Sequence, residues 1–485
     1  MRENDVARLL RSRFEQQSND IFIVDAATGA SLSYGQFLRA VLRVREGLAR
    51  KGLRKSDVLL SYMSNSIETA IVYFTALVMG LNIVPLDVER GEQDLRETIS
   101  QVPYRAAICN APPPSFITDG IQVGALTAGE TRSEAAVGEA ELFESLAYEQ
   151  LYLTTFTSGS TGAPKGVMHS FRNLLRSSVA FSSRLGLGKS NVFCHNLPMS
   201  YMAGILNLII LPFASGGRVV VGRRFSVSNL AGFWNAPARY SVNTFCFIPT
   251  ELALLLKLDR GSEGVEYARR TKIIGFVATA PLKPQLKQAF EERYGISLYE
   301  SYGLSETLFV AANYPGRDRA GSVGLPLDGV SFEIGADGEV LIRTPWMFLG
   351  YSNAASPVQE NCFPSGDLGE IEVDGGLRIT GRKKDLIIRG GINISPRRIE
   401  ELLDSSGAIE ECAVVGVDDE ILGEKVVCFF VPKGGDPDRV KRLSREVAAG
   451  LGKDYRIDKF VELRALPRNV NGKLDRQALR RSYTQ

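Results

Sequence analysis

Leu151-Tyr-Leu-Thr-Thr-Phe-Thr-Ser-Gly-Ser-Thr-Gly-Ala-Pro-Lys-Gly-Val-Met-His-Ser170 is the densest signal in the chain. An apolar strand runs into a loop holding Thr157, Ser158, Gly159, Ser160, Thr161, Gly162 and Lys165. Glycines let backbone N–H groups curl around an anion, and the hydroxyls and the ammonium add further donors. These are the groups a polyphosphate needs. Alone, a Ser/Gly-rich string is also an ordinary turn with no ligand. It is not a Walker A loop, because the G-x-x-x-x-G-K-[ST] spacing is missing.

Outward from this loop the chain alternates in period. Phe37, Leu38, Val41, Leu42, Val44 and Leu48 have helical spacing, with a stop at Lys51-Gly52. Val58 to Tyr62 and Ile83 to Leu86 read as buried strands, and Ile67 to Gly80 between them as a helix. The rhythm resumes at Leu151 and runs to about residue 330, which predicts α/β layers with mostly parallel sheets. Beyond it lie short strands with Gly-rich turns, such as Gly338-Glu-Val-Leu-Ile and Gly376-Leu-Arg-Ile-Thr, expected to form a small β-rich subdomain. Residues 385–485 read as a small α+β domain, with helices at Arg397–Leu403 and Arg439–Gly450 and strands at Glu411–Val417 and Lys425–Val431. The acidic stretch from Glu130 to Glu149 is expected on the surface.

Composition narrows the function classes. The 57 basic and 55 acidic residues nearly cancel, and no basic block with interleaved aromatics points to nucleic acid. The six cysteines form no CxxC pair, so neither a metal site nor a disulfide framework is expected, and reduced cytoplasmic thiols are. Gly204 to Ala214 is too short an apolar run to span a membrane and reads as a buried element. Only His169 and His195 are present, which argues against a histidine-based triad. No strand–GxGxxG–helix unit suggests a dinucleotide oxidoreductase.

The full string T-S-G-S-T-G-x-P-K-G resembles the phosphate loop of the adenylate-forming superfamily, which comprises acyl-CoA synthetases, peptide-synthetase adenylation domains and luciferases. Four further strings follow in that family's order. Tyr302-Gly-Leu-Ser-Glu306 resembles its aromatic-Gly-x-[ST]-Glu motif. The resemblance implies that Tyr302 stacks on adenine, Ser305 touches the α-phosphate and Glu306 binds Mg²⁺. Gly366-Asp367 and Gly381-Arg382 match the family's ribose-contacting pairs, and Lys384 falls at its hinge. Arg389-Gly-Gly-Ile-Asn-Ile resembles the loop lining a thiol channel, with Gly391 leaving room for a pantetheine arm. Leu466-Pro-Arg-Asn-Val-Asn-Gly-Lys473 resembles the catalytic loop whose lysine bridges the acyl carboxylate and the α-phosphate. Read singly, each of these strings is a common turn or a solvated charge.

The resemblance implies an N-terminal domain, 1–383, that binds ATP and the acid, and a mobile lid, 384–485, that carries Lys473. It implies ATP and Mg²⁺ as cofactors. Coenzyme A is the expected acceptor, with a carrier-protein phosphopantetheine as the alternative, and a monomer or homodimer is expected. Four positions depart from the family pattern around the acyl pocket. Tyr201 stands where many acyl-CoA synthetases have His, Ala278-Thr279 replaces Gly-Gly, and Ser301 replaces a frequent Gly. Extra atoms at Thr279 and Ser301 narrow the pocket, which predicts a small or medium carboxylic acid. No Asp lies between Leu197 and Ile248 to grip an α-ammonium, which argues against an α-amino acid.

Overall fold

A computed structural model describes residues 3–127, 142–143, 146–157, 164–433, 437–468 and 474–484. The chain divides into two compact units: Met1–Ser331 with Arg343–Phe363, and Phe332–Ile342 with Pro364–Gln485. The division falls ahead of the expected boundary at Lys384. By packing, the strands just before Lys384 belong with the C-terminal part.

The first unit stacks two sheets about a helical layer. The helix Ile67–Met79 touches strand Ile21–Asp25 of a nine-stranded sheet and strands Val58–Tyr62 and Asn82–Leu86 of a seven-stranded one. This sandwiched position explains its sequence: it is apolar around nearly its whole circumference, with buried residues from Ile67 to Leu77. The Ser66 side chain caps its first turn by accepting from Thr69 N, and Gly80 closes it at φ +66. Phe37, Phe74 and Phe213 meet at centroid distances of 5.2 and 4.8 Å in the core of the unit. Both sheets are mainly parallel, as the alternating periods predict.

One surface expectation fails in part. Phe143 and Tyr148, inside the acidic stretch, are buried, and Phe143 stacks on Phe14 at 5.6 Å. The acidic composition masked two aromatics that fill the core; most of the remaining stretch lies outside the described residues.

The quoted stretch becomes a hairpin that feeds a helix. Strand Leu151–Thr157 pairs antiparallel with strand Lys165–Ser170, and Thr157 sits opposite Lys165 at the mouth of the loop. Ser170 then caps the helix Phe171–Leu185 by accepting from Asn173 N at 3.2 Å. One continuous segment therefore fixes the loop to both a sheet and the helical layer.

The second unit carries a four-stranded sheet, built from Ser331–Ile334, Glu339–Arg343, Phe363–Ile371 and Leu377–Arg382, and a five-stranded sheet with, among the described residues, the α-helices Pro396–Ser405, Pro437–Leu451 and Arg476–Thr484. Strands Ile409–Asp419 and Gly423–Pro432 alternate cleanly. Cys412, Val414, Val426 and Cys428 face one core, and Ala413, Val415, Val427 and Phe429 face the other. Among the described residues no helix is long and apolar enough to cross a membrane.

Candidate active site

In the nine-stranded sheet the strands Val192–His195, Thr244–Phe247, Ile274–Val277 and Ser297–Leu304 run parallel, so their C-terminal ends lie at one edge. Ligands of open α/β sheets bind at that edge, because the loops there are free to vary without disturbing the sheet. A cavity of about 70 Å³ opens there. The structure brings Tyr201, Ala278, Thr279, Ser301, Tyr302 and Ser305 together in its wall, although they come from three separate stretches of sequence.

Each wall residue has a local cause. Ser301 donates its hydroxyl to Val277 O at 2.9 Å, which tethers neighbouring strand ends. Thr279 has φ +75, a left-handed conformation that a β-branched residue adopts only under strain. The motif glycine Gly303 lies where the strand turns back on Leu308–Ala312; a Cβ there would sit 2.0 Å from Leu308 O. Only glycine permits that approach, and the turn sets Tyr302 on one side of it and Ser305–Glu306 on the other.

Three residues outside the family-like strings contact Ser305, Glu306 and the Pro164–Gly166 end of the glycine-rich loop. The Tyr351 hydroxyl donates to Glu306 Oε1 at 2.8 Å, and its ring lies 5.2 Å from Lys165 Nζ. Burial, and then the Glu306 charge, push the Tyr351 phenol upward, so it remains a proton donor. His169 Nε2 lies 2.6 Å from Ser305 O. Burial lowers the His169 pKa to about 4, so the ring is neutral near pH 7; since a carbonyl only accepts, the proton is on Nε2. Asn353 braces the foot of the loop by donating to Pro164 O at 2.8 Å and accepting from Gly166 N at 3.2 Å. Tyr351 and Asn353 share the string Gly350-Tyr-Ser-Asn353, which by itself reads as an ordinary turn with an aromatic inside it.

A buried polar cluster underlies the same edge. Glu251 accepts from Asn196 Nδ2 at 2.8 Å and from Ile248 N at 3.2 Å, and burial pushes its pKa up to about 8. His195, with its pKa lowered by burial to about 4, lies 3.1 Å from Gly204 O through Nε2. Both histidines are neutral, each with Nε2 within hydrogen-bonding distance of a backbone carbonyl.

In the second unit Asp367 and Arg382 face each other across two strands, with Arg382 Nε 2.8 Å from Asp367 Oδ1. Asp367 is buried and Arg382 is exposed. Lys383 reaches Asp337 at 2.6 Å and Glu339 at 2.9 Å, which holds its ammonium above the usual range, whereas Lys384 sits exposed in a single turn, Lys383–Asp385. Gly391 has φ +81, and among the described residues no atom lies within 4 Å of where a Cβ would sit, so conformation rather than crowding demands glycine. Of the expected site residues, Ser158, Gly159, Ser160, Thr161, Gly162 and Lys473 lie outside the described residues. Arg468 and Leu474 pair across the base of the Lys473 loop.

The strand-end cavity and the glycine turn beside it place the candidate site of an α/β enzyme at the carboxyl edge of its parallel strands. The AMP-binding enzyme family matches residues 10–352, and the AMP-binding enzyme C-terminal domain matches residues 398–473. The chain belongs to the AMP-binding enzyme family. It is similar to sulfoacetate–CoA ligase of Cupriavidus necator, at 28% identity over 98% of this chain and 97% of that protein. It is likewise similar to 2-succinylbenzoate–CoA ligase of Bacillus subtilis, at 28% identity over 93% of each. Among solved structures, o-succinylbenzoate CoA synthetase of Bacillus subtilis with its acyl-adenylate intermediate superposes with a TM-score of 0.81, at 25% identity and 98% coverage of both chains. The anthranilate CoA ligase AuaEII with anthranoyl-AMP shares the fold, at TM-score 0.85, 19% identity and 99% coverage of both.

Proposed function

We propose that this enzyme is an AMP-forming ligase that joins a small carboxylic acid to coenzyme A in the cytoplasm. The observation that carries the reading is the cavity where Tyr201, Thr279, Ser301, Tyr302 and Ser305 converge, one residue from Glu306 and its Tyr351 support. An acid seated there has its carboxylate beside the residues assigned to the α-phosphate. The carboxylate oxygen attacks the α-phosphorus of ATP, a new C–O–P linkage forms, and pyrophosphate leaves. The thiol sulfur then attacks the acyl carbon, AMP departs, and a thioester remains.

The donor set fits magnesium. Among the described residues no cluster of three or more His, Cys, Asp or Glu side chains could build an all-protein metal cage. Mg²⁺ instead favours one or two carboxylates plus substrate phosphates, a role Glu306 can fill alone. Bound there, it would offset phosphate charge that repels the incoming carboxylate. Tyr351 fixes the Glu306 carboxylate, and Lys165 supplies an ammonium at the mouth of the loop. Asp367 and Arg382 are assigned to the ribose, Lys473 to the charge between carboxylate and α-phosphate, Lys384 to the pivot of the lid, and Gly391 to the thiol path. Lys384 is then a boundary of motion, distinct from the boundary of packing.

Coenzyme A is favoured over a carrier protein because the related proteins are named as CoA ligases. The small cavity, with Thr279 and Ser301 in its wall, supports a short acid. The test is product analysis with MgATP, coenzyme A and a panel of short, medium, branched and aryl acids. AMP, pyrophosphate and a short acyl-CoA by mass are expected. Acid-dependent pyrophosphate without acyl-CoA would favour a carrier protein, and rapid turnover of palmitate with none of butyrate would contradict the small-acid reading.

A further inference from the structure

Asn207 is the only polar side chain in the run from Met202 to Ala214. It is 3% exposed and sits in a π-helical turn, Leu206–Ile210, a distortion that recurs at functional sites. It also lines the cavity, together with Thr279 and Ser301. Its Nδ2 donates to Cys246 Sγ at 3.3 Å. Burial pushes the Cys246 thiol up to about 12, so the sulfur stays neutral and is a weak acceptor. Among the described residues nothing donates to Asn207 Oδ1. A leucine would pack this apolar helix better, and a buried amide held only by a thiol is poorly compensated.

The rest of the cavity sets the limits on a ligand. Ser301 has committed its hydroxyl to Val277 O. No Lys, Arg or His lines the cavity among the described residues, so a second anionic group would be buried there without a counter-charge. The cavity measures about 70 Å³, in keeping with a small acyl group.

Resting on the acid-activating reading above, we propose that Asn207 is a specificity-determining residue that hydrogen-bonds the far end of the acyl group. The substrate is then a small acid with an uncharged hydrogen-bonding group, such as a hydroxyl, at that end. A site built to bind a hydroxyl strongly rejects the analogue lacking it, whereas an apolar site barely distinguishes the two.

The experiment compares kcat/KM, by pyrophosphate release from MgATP, for 3-hydroxypropionate, its isostere butyrate, and sulfoacetate as the dianionic probe. The full chain should favour 3-hydroxypropionate over butyrate by about 100-fold or more, and Asn207→Leu should cut that ratio to about tenfold or less. Equal use of the two isosteres, a preference for sulfoacetate, or a ratio unchanged in Asn207→Leu would overturn the proposal while leaving the ligase reading intact. No acid-dependent pyrophosphate with any acid would overturn both. The wild-type ratio decides even where the variant fails to fold.

Discussion

The cavity has two walls of different character. The strand-end wall, with Thr279, Ser301, Tyr302 and Ser305, is built from turns and tethers: a strained φ, a glycine forced by a 2.0 Å approach, and a hydroxyl tied to a neighbouring strand. The helix wall, Tyr201 to Asn207, belongs to a buried apolar run that distorts into a π turn at its one amide. On the proposed reading the strand-end wall serves both ATP, through Tyr302 and Ser305, and the acid, through Thr279 and Ser301, whereas the helix wall serves the acid alone. The difference teaches that changes at the Ser305–Glu306 turn should alter rate uniformly, and that changes at Thr279, Ser301 or the helix wall should alter choice.

The largest effect separating the two is expected from Glu306→Gln. It should lower pyrophosphate release about 10²- to 10³-fold for every acid tested, as removal of a charge-stabilising group does. Tyr351→Phe leaves Glu306 in place without its donor; losing one hydrogen bond to a charged group, about 1.5 kcal/mol, should cost about tenfold, again with no change in acid preference. A preference that moved with either variant would break the comparison.

Thr279→Gly should act the other way, relieving a left-handed β-branched residue and opening the cavity. Turnover of a five- or six-carbon acid should rise severalfold relative to a three-carbon one, and a profile unchanged across chain lengths would remove Thr279 from the acyl wall.

The smallest effect concerns the polar cluster beneath the helix wall and is read in stability rather than rate. Glu251 has a folded pKa raised to about 8, so the folded state holds a proton that the unfolded carboxyl has released. Its contribution is present below the unfolded pKa and is lost as pH rises toward 8. His169 and His195, lowered to about 4, have the opposite sign: their contribution is present above the unfolded value and is lost as pH falls through about 6.5 toward 4. Stability should therefore peak between these arms. Glu251→Gln should flatten the alkaline arm, by a few degrees in Tm near pH 8, and a wild-type Tm rising steadily from pH 6 to 9 would contradict a buried protonated Glu251.

How much of this was legible depended on whether the signal was local. Helices such as Ile67–Met79 and strands such as Val58–Tyr62 show their period within a few residues. The glycine- and hydroxyl-rich strings show because such residues are costly inside regular elements, so their clustering marks a site. Tyr351 and Asn353 were not legible, since each matters through a partner 45 or 187 residues away. Asn207 was hidden in an apolar run that reads as core. Phe143 and Tyr148 were misjudged because acidic neighbours outweighed two aromatics in the composition.

The central claim is that a carboxylate oxygen attacks the α-phosphorus of ATP. The most direct measurement supplies an acid the enzyme turns over, labelled with ¹⁸O in both carboxylate oxygens, together with MgATP and coenzyme A, and weighs the nucleotide product. The account predicts AMP carrying one ¹⁸O, because the bridging oxygen of the adenylate stays with phosphorus when the thiol displaces AMP. Unlabelled AMP, or label in inorganic phosphate with ADP as the nucleotide product, would contradict it.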